Sequence, residues 1–340
     1  MASTGAGVVG LGIWGETHLM TYSEHPHVDL VKVCDLNKAR ARKMAKQYGA
    51  KSWCTDYREL VEDPDIDVVS IVTPDFAHTD IAVAAAKSKK HILVEKPLAT
   101  TVEDCRKIIS TAKRNKVTLM CDFHNHWNPC MHRVKEAVDA GELGTLQFMS
   151  LRLNDTIAVP RDWLAWSGKS SVLWFLASHS VDLVRWIFKD EVDRVYTVAR
   201  SRLLKRLGKN TPDFFMSTLE LKKGAVVAIE NGWIMSERMP IVCAFKMEVI
   251  GSKGTMLSDV VSHGAVQKYT EKEVSLPDVF GRPHIQGKTQ GFAVESIRHF
   301  IDCVRLNRKP HVTGEDGLAA TKVILAMMKS VETGKPVKMR

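Results

Sequence analysis

Five short apolar runs recur through the first 123 residues, each followed by a stretch with helical spacing. They are "GVVGLG" (7–12), "VDLVKVCD" (28–35), "DVVSIVT" (67–73), "HILVE" (91–95) and "VTLMCDF" (117–123). Runs this apolar have no polar face to turn to water, so each must be covered on both sides. The stretches between them, to about 25, to 47, 75–88 and 101–115, supply the helices that cover them. Strand and helix in alternation specify a doubly wound parallel sheet, an α/β arrangement.

After about residue 124 the rhythm changes. A helix near 129–140 ends at "AGELG", the strand "TLQFMSLRL" follows, and helical spacing resumes over 172–188. Longer strands then succeed one another near 192–201, 214–221, 225–234, 243–251 and 264–269. Turns such as "KKG" and "GSKG" join neighbours as antiparallel hairpins. Helices near 288–307 and 315–333 close the chain. The expected organisation is a first domain over 1–123 and an α+β domain over 124–340 with a large, mostly antiparallel open sheet. The terminal helix is left free to pack back on the first domain.

A chain of 340 residues suits two such domains. The seven cysteines show no paired spacing, and no apolar run approaches the roughly 20 residues that span a bilayer. The start lacks the charged and apolar segments of a signal peptide, so a reduced, cytoplasmic protein without a membrane partner is expected. The formal net charge of +9 gathers in "KARARKMAK", "KSKK" and "RSRLLKR". No aromatic residues interleave these runs to stack bases, so they argue for solvated helix faces or an anionic small molecule rather than nucleic acid.

"GLGIWG" places Gly10, Gly12 and Gly15 in the Gly-x-Gly-x-x-Gly spacing between the first strand and its helix. In that context the first glycine makes the tight turn, the second admits a pyrophosphate, and the third lets helix and strand pack closely. The helix N-terminus offers free N–H groups to the anion. Asp35 ends the second strand, where a carboxylate can take both ribose hydroxyls and would repel a 2′-phosphate. NAD is therefore expected over NADP, with Arg40 and Arg42 leaving some room for the latter. Thr73 and Pro74 end the third run and Asp75 can cap the next helix. The fourth run ends on Glu95, Lys96 and Pro97, at the edge where ligands of open parallel sheets bind. The proline bars Lys96 from helical geometry and permits a cis bond.

With "GVVGLGIWG", "TPDFAH", "VEKPLATT", "NHWNP" with "AGELG", and "ASHSVDLVRW" in this order, the chain resembles the glucose–fructose oxidoreductase and inositol dehydrogenase (Gfo/Idh/MocA) family. The resemblance implies an N-terminal Rossmann domain and a hydride exchanged between NAD and a secondary hydroxyl of a sugar or cyclic polyol. It sets Gly10, Gly12, Ile13, Trp14, Gly15, Asp35, Thr73, Pro74, His78, Glu95 and Lys96 against the cofactor. It makes Lys96 and His179 the acid–base residues and a homodimer or homotetramer through the C-terminal sheet the expected assembly. Glu95 is expected to be a local structural partner. Many members carry an aspartate four residues before the histidine, where this chain has Phe175. Asp155, Asp162 or Asp182 could replace it, or a Lys–His pair could work alone.

Asp122, His124 and His126 alternate along a possible strand and would then share one face. Family chemistry needs no metal, so none is expected there. Asn125 and His126, with Arg161, Trp163 and Trp166, are candidate substrate contacts, although the tryptophans could equally pack a core. Two other readings stay open. One is an NAD-retaining enzyme that oxidises, eliminates or epimerises, then reduces; the other is a sugar-sensing protein without turnover.

Overall fold

The computed structural model describes residues 3–260, 265–272 and 274–339. They fall into two compact units, Met1–Trp127 with Phe280–Thr321 and Asn128–Val279 with Lys322–Arg340. Among the described residues no helix is long and apolar enough to cross a membrane.

The first unit is built on strands β1 (Thr4–Val9), β2 (Val28–Cys34), β3 (Ser52–Cys54), β4 (Val68–Ile71), β5 (His91–Glu95) and β6 (Leu119–Asp122). All pair in parallel, in the order β3-β2-β1-β4-β5-β6. This reversal of direction at β1 is the doubly wound Rossmann order. Helices α1 (Ile13–Ser23), α2 (Lys38–Tyr48), α3 (Tyr57–Val61), α4 (His78–Lys87) and α5 (Val102–Asn115) connect the strands. Their boundaries are chemically marked. Asn37 and Thr101 cap α2 and α5 by accepting the N–H of Arg40 and Asp104, and Gly49 closes α2 at φ +70°. β3 and α3 were not anticipated, because three and five residues are too short to show a period.

Residues 280–321 belong to the first unit; the sequence pattern puts those before the terminal helix in the second domain and leaves the start of that helix free to pack back. In α9 (Phe292–Arg305) the residues Ile297, Phe300 and Ile301 are fully buried. They share one core with Leu19 and Tyr22 of α1 and with Val8, Leu93 and Met120 of the sheet. An amphipathic helix reveals its apolar face in the sequence but not the surface that face covers, which is why the sequence pattern pointed elsewhere.

The second unit carries a seven-stranded sheet. Its strands are β7 (Leu146–Thr156), β8 (Val192–Arg200), β9 (Phe214–Leu221), β10 (Val226–Met235), β11 (Cys243–Gly251), β12 (Thr255–Asp259) and a short C-terminal strand (Val337–Lys338). The order is β12-β11-β7-β10-β9-β8 and then the terminal strand. Only β7 with β10 is parallel among these pairs. Helices α6 (Pro129–Asp139), α7 (Ser178–Phe188), the short α8 (Leu203–Arg206) and the later part of α10 (Gly314–Thr333) complete it. The strand expected at 264–269 is not found as such. Residue 264 lies outside the described residues, and only Lys268–Tyr269 pairs, with Val274–Ser275.

Candidate active site

The three loop glycines differ in what surrounds them. Gly10 has φ +93°, and a Cβ there would lie 2.5 Å from the Val72 carbonyl oxygen. A Cβ on Gly15 would lie 2.1 Å from the Gly10 carbonyl oxygen. Gly12 is the N-cap of α1 and no side chain caps that helix, while a Cβ on Gly12 would meet nothing within 4 Å. Two glycines are thus required by the chain itself, and the third keeps open the space beside free helix N–H groups. These residues fit the pyrophosphate of a dinucleotide. Asp35 lies beside the loop: its carboxylate accepts the N–H of Leu11 at 3.0 Å and of Asn37 at 2.8 Å, and Arg40 approaches to 3.4 Å. Ile13 is exposed at the turn.

The motif loops after β4 and β5 are tied together by His78. Its Nε2 lies 2.9 Å from the Thr73 carbonyl oxygen and its Nδ1 2.8 Å from that of Pro97. Burial lowers its pKa, against the pull of the two carbonyls. This imidazole spans "TPDFAH" and "EKP", and it braces the turn carrying Thr73 and Pro74 against the turn carrying Lys96. The Lys96–Pro97 peptide is cis.

Glu95 is not a local partner alone. It belongs to a buried polar group that the sequence motifs did not reveal. Tyr22 Oη lies 2.6 Å from Ser70 Oγ, Ser70 Oγ lies 3.1 Å from His18 Nδ1, and His18 Nε2 lies 3.1 Å from Glu95 Oε1. Glu95 Oε2 accepts the Lys96 backbone N–H at 3.3 Å. Donor atoms of His18, Glu95 and Asp122 all lie within 4.8 Å of one another. A metal could be offered three ligands here, yet His18 already spends both ring nitrogens on Ser70 and Glu95. Burial lowers the His18 pKa to about 4, so its ring is neutral near pH 7. Burial raises Glu95 to about 7, opposed by the Lys96 ammonium, and raises Asp122 to about 8 with Glu95 adding to the shift.

A signal for this group was present. Trp14, His18 and Tyr22 recur every four residues, which places them on one face of α1. The expectation for Asp122, His124 and His126 needs correction. β6 ends at Asp122, and residues 124–127 form a 3₁₀ turn, so the three do not line one face of a strand. Pro129 starts α6 with Asn128 as its cap, which leaves the intervening residues to turn the chain. The His124 ring packs, tilted, against Trp14 and Phe292 at centroid distances of 5.1 and 5.7 Å. Burial, and then the Lys96 charge, lowers its pKa to about 3. Asn125 is buried, and His126 lies 6.3 Å from the Trp127 ring.

In the second unit, His179 is buried in the first turn of α7, after a π-helical turn over Leu173–Ala177. Asp182 is buried one turn further on, and Asp155 is buried on β7 opposite Cys243. Asp162 is exposed and takes a two-pronged bond from Arg161, whose guanidinium also donates to Glu237 at 2.5 Å. Phe175 packs against Trp166 and Trp233, with centroids 6.2 and 5.6 Å away. An aromatic cluster therefore stands where the resemblance led one to look for a carboxylate. Trp163 is 47% exposed.

Comparison with known proteins agrees with this arrangement. Residues 4–123 match the oxidoreductase family with an NAD-binding Rossmann fold, and residues 131–257 match the GFO/IDH/MocA C-terminal domain. The chain is 28% identical over 334 residues to a myo-inositol 2-dehydrogenase of Thermotoga maritima, covering 98% of each protein. It is 29% identical over 339 residues to an NAD(+)-dependent scyllo-inositol 2-dehydrogenase of Bacillus subtilis, covering 98% of this chain and 95% of that protein. The crystal structure of a probable dehydrogenase from Thermotoga maritima superposes with a TM-score of 0.82 at 26% identity, covering 98% of both chains. The motifs, the strand order and these matches establish that this chain belongs to the Gfo/Idh/MocA family of oxidoreductases with an NAD-binding Rossmann fold.

Proposed function

We propose that this protein is an NAD-dependent dehydrogenase that oxidises a secondary hydroxyl of a cyclic polyol or sugar. The observation that carries the reading is the carboxyl edge of the parallel sheet. There the open Gly12 and the lysine that follows β5 are delivered by neighbouring elements of one rigidly registered sheet. Inositol dehydrogenases among the relatives support the polyol class. The glycine loop would hold the pyrophosphate and Asp35 the adenosine ribose, and its charge would disfavour the 2′-phosphate of NADP. Bound NAD supplies the hydride acceptor. The Lys96 ammonium binds the reacting hydroxyl oxygen and stabilises negative charge on it. His179 takes the hydroxyl proton as general base. We assign Asp182 as its supporting carboxylate, because Asp162 is committed to Arg161 and Asp155 lies opposite Cys243.

The test is NADH formation on myo-inositol, scyllo-inositol, hexoses and glycosides, with NAD and NADP in parallel. Lys96→Ala and His179→Ala are each expected to lower turnover at least about a hundredfold while NAD still binds. Unchanged turnover in both variants would overturn the assignment. Tight retention of NAD with no net NADH would instead favour the oxidation–reduction cycle.

We further infer self-association through the open face of the seven-stranded sheet. Strand register places Tyr196, Met216 and Leu257 on the same face, and they are 42, 42 and 75% exposed. Sedimentation of the intact protein should show a dimer or larger species, and a monomer at micromolar concentration would sink the inference.

A further inference from the structure

Glu95 and Asp122 are register partners on the adjacent parallel strands β5 and β6, so both carboxyl groups leave the same face of the sheet. They are 5% and 0% exposed. Two buried carboxyls this close cannot both ionise at modest cost, so near neutrality they share a proton. The surrounding groups decide where it resides. From α1 come the neutral His18, Tyr22 and Trp14, and from β4 comes Ser70. The β5 end contributes the Lys96 ammonium, the segment after β6 contributes His124, and α9 contributes Ser296.

Burial raises the Tyr22 pKa, so its hydroxyl keeps its hydrogen and can donate it. If it donates to Ser70, Ser70 can donate to His18 Nδ1, and neutral His18 then carries its hydrogen on Nε2 and donates it to Glu95. In that arrangement every link points its hydrogen toward Glu95, whose second oxygen receives the Lys96 N–H. Neither oxygen of Asp122, by contrast, has a hydrogen-bond partner at full geometry among the described residues. Ser296 and Glu95 reach Asp122 without a bond of full geometry, so negative charge is better provided for on Glu95 than on Asp122.

We propose that Asp122 is a positioning residue that holds the proton of the Glu95–Asp122 pair, leaving Glu95 as the carboxylate that fixes the Lys96 ammonium. The directions of the shifts agree: burial raises both carboxyls, Glu95 raises Asp122 further, and Lys96 draws Glu95 back toward ionisation. Loss of the Asp122 proton puts a second negative charge behind Lys96 and moves the ammonium off the reacting hydroxyl. The role of Lys96 rests on the dehydrogenase reading; the protonation of the pair does not.

Infrared difference spectra of the intact protein across pH 6.5–9.5 test the pair without substrate. The wild type should lose one buried carboxylic-acid carbonyl band as pH rises through about 8, where Asp122 ionises. In Asp122→Asn the band should be absent, and Glu95→Gln should retain it with ionisation moved to lower pH, because the neighbouring charge is gone. Asp122→Asn should bind NAD within about threefold of wild type, since Asp122 is wholly buried at the end of β6. On a polyol that is turned over, Asp122→Asn should remove one ionisation from the kcat profile, and Glu95→Gln should lower kcat about tenfold or more with KM little changed. A band that survives in Asp122→Asn and vanishes in Glu95→Gln overturns the proposal. So does one equivalent of divalent metal that the purified protein retains and His18→Ala loses. If wild type turns over no polyol, the dehydrogenase reading fails and the infrared result still decides the pair.

Discussion

Gly12 and Gly15 belong to one motif and face opposite demands. Gly12 has φ −72°, open to any residue, and nothing of the chain would touch its Cβ. Gly12→Ala should leave the melting temperature within about 1 °C, because no packing changes. It should weaken NAD binding about tenfold or more, since the added methyl enters the pyrophosphate space. Gly15→Ala puts a Cβ 2.1 Å from a backbone oxygen, so the loop or the helix must move. A loss of about 1–3 kcal/mol, or about 2–8 °C, is expected whether or not NAD is present. Thermal unfolding and NAD titration of the two variants separate these roles. The residues legible in the sequence were those whose spacing alone defines their task, such as these glycines, and those fixed by a motif, such as Lys96. His18 and Asp122 are 104 positions apart, and only the registration of β5 with β6 and the seating of α1 bring them to Glu95. Phe175 was legible as a departure, but not the aromatic pair that receives its ring.

The layer formed by α1, β5 and β6 should give the protein a pH-dependent stability. Asp122 and Glu95 have pKa values raised in the folded protein, so the native state keeps protons that the unfolded chain releases. Their contribution is present below the ordinary carboxylate range and is lost as pH rises through about 8. His18 is lowered from 6.5 to about 4, so its contribution is present above 6.5 and is lost as pH falls toward 4. Between pH 4 and 6.5 the two oppose each other. Above 6.5 the carboxyl pair acts without it, and the melting temperature should fall by about 2–8 °C toward pH 8.5. Calorimetry at pH 6.5, 7.5 and 8.5 checks this, and Asp122→Asn should flatten the fall. A variant that falls as steeply as wild type would show that other groups cause the loss of stability. At this scale, two long strands, Phe214–Leu221 and Cys243–Gly251, and the apolar run His91–Glu95 that ends on a charged motif, lie where the sequence pattern puts them. In the stretch "DFHNHW" the spacing of Asp122, His124 and His126 at alternate positions imitates a strand, while Asn128 and Pro129 oblige the chain to turn.

For the whole molecule, the consequence lies in the discontinuity of the first unit. The alternating pattern over 1–123 looks self-sufficient, and β-strand periodicity cannot say which helix closes the last face. That face is closed by α9, almost 170 residues after β6 by sequence. Ile297, Phe300 and Ile301 are each fully buried in the core beneath α1. Burying three such side chains contributes about 5–9 kcal/mol by the usual scale of about 1.5–3 each. A domain's net stability is about 5–15 kcal/mol, so losing these contacts removes a large part of it. A fragment of residues 1–127 should therefore lack a cooperative unfolding transition and bind NAD poorly, although it contains every loop glycine, Asp35 and Lys96. Joining residues 280–321 to it through a flexible linker should restore both the transition and NAD binding, because the same side chains return to the same core. Denaturant unfolding and NAD titration of the two fragments decide the point. Cooperative folding of 1–127 alone would show that α9 is an accessory to the Rossmann core and not part of it.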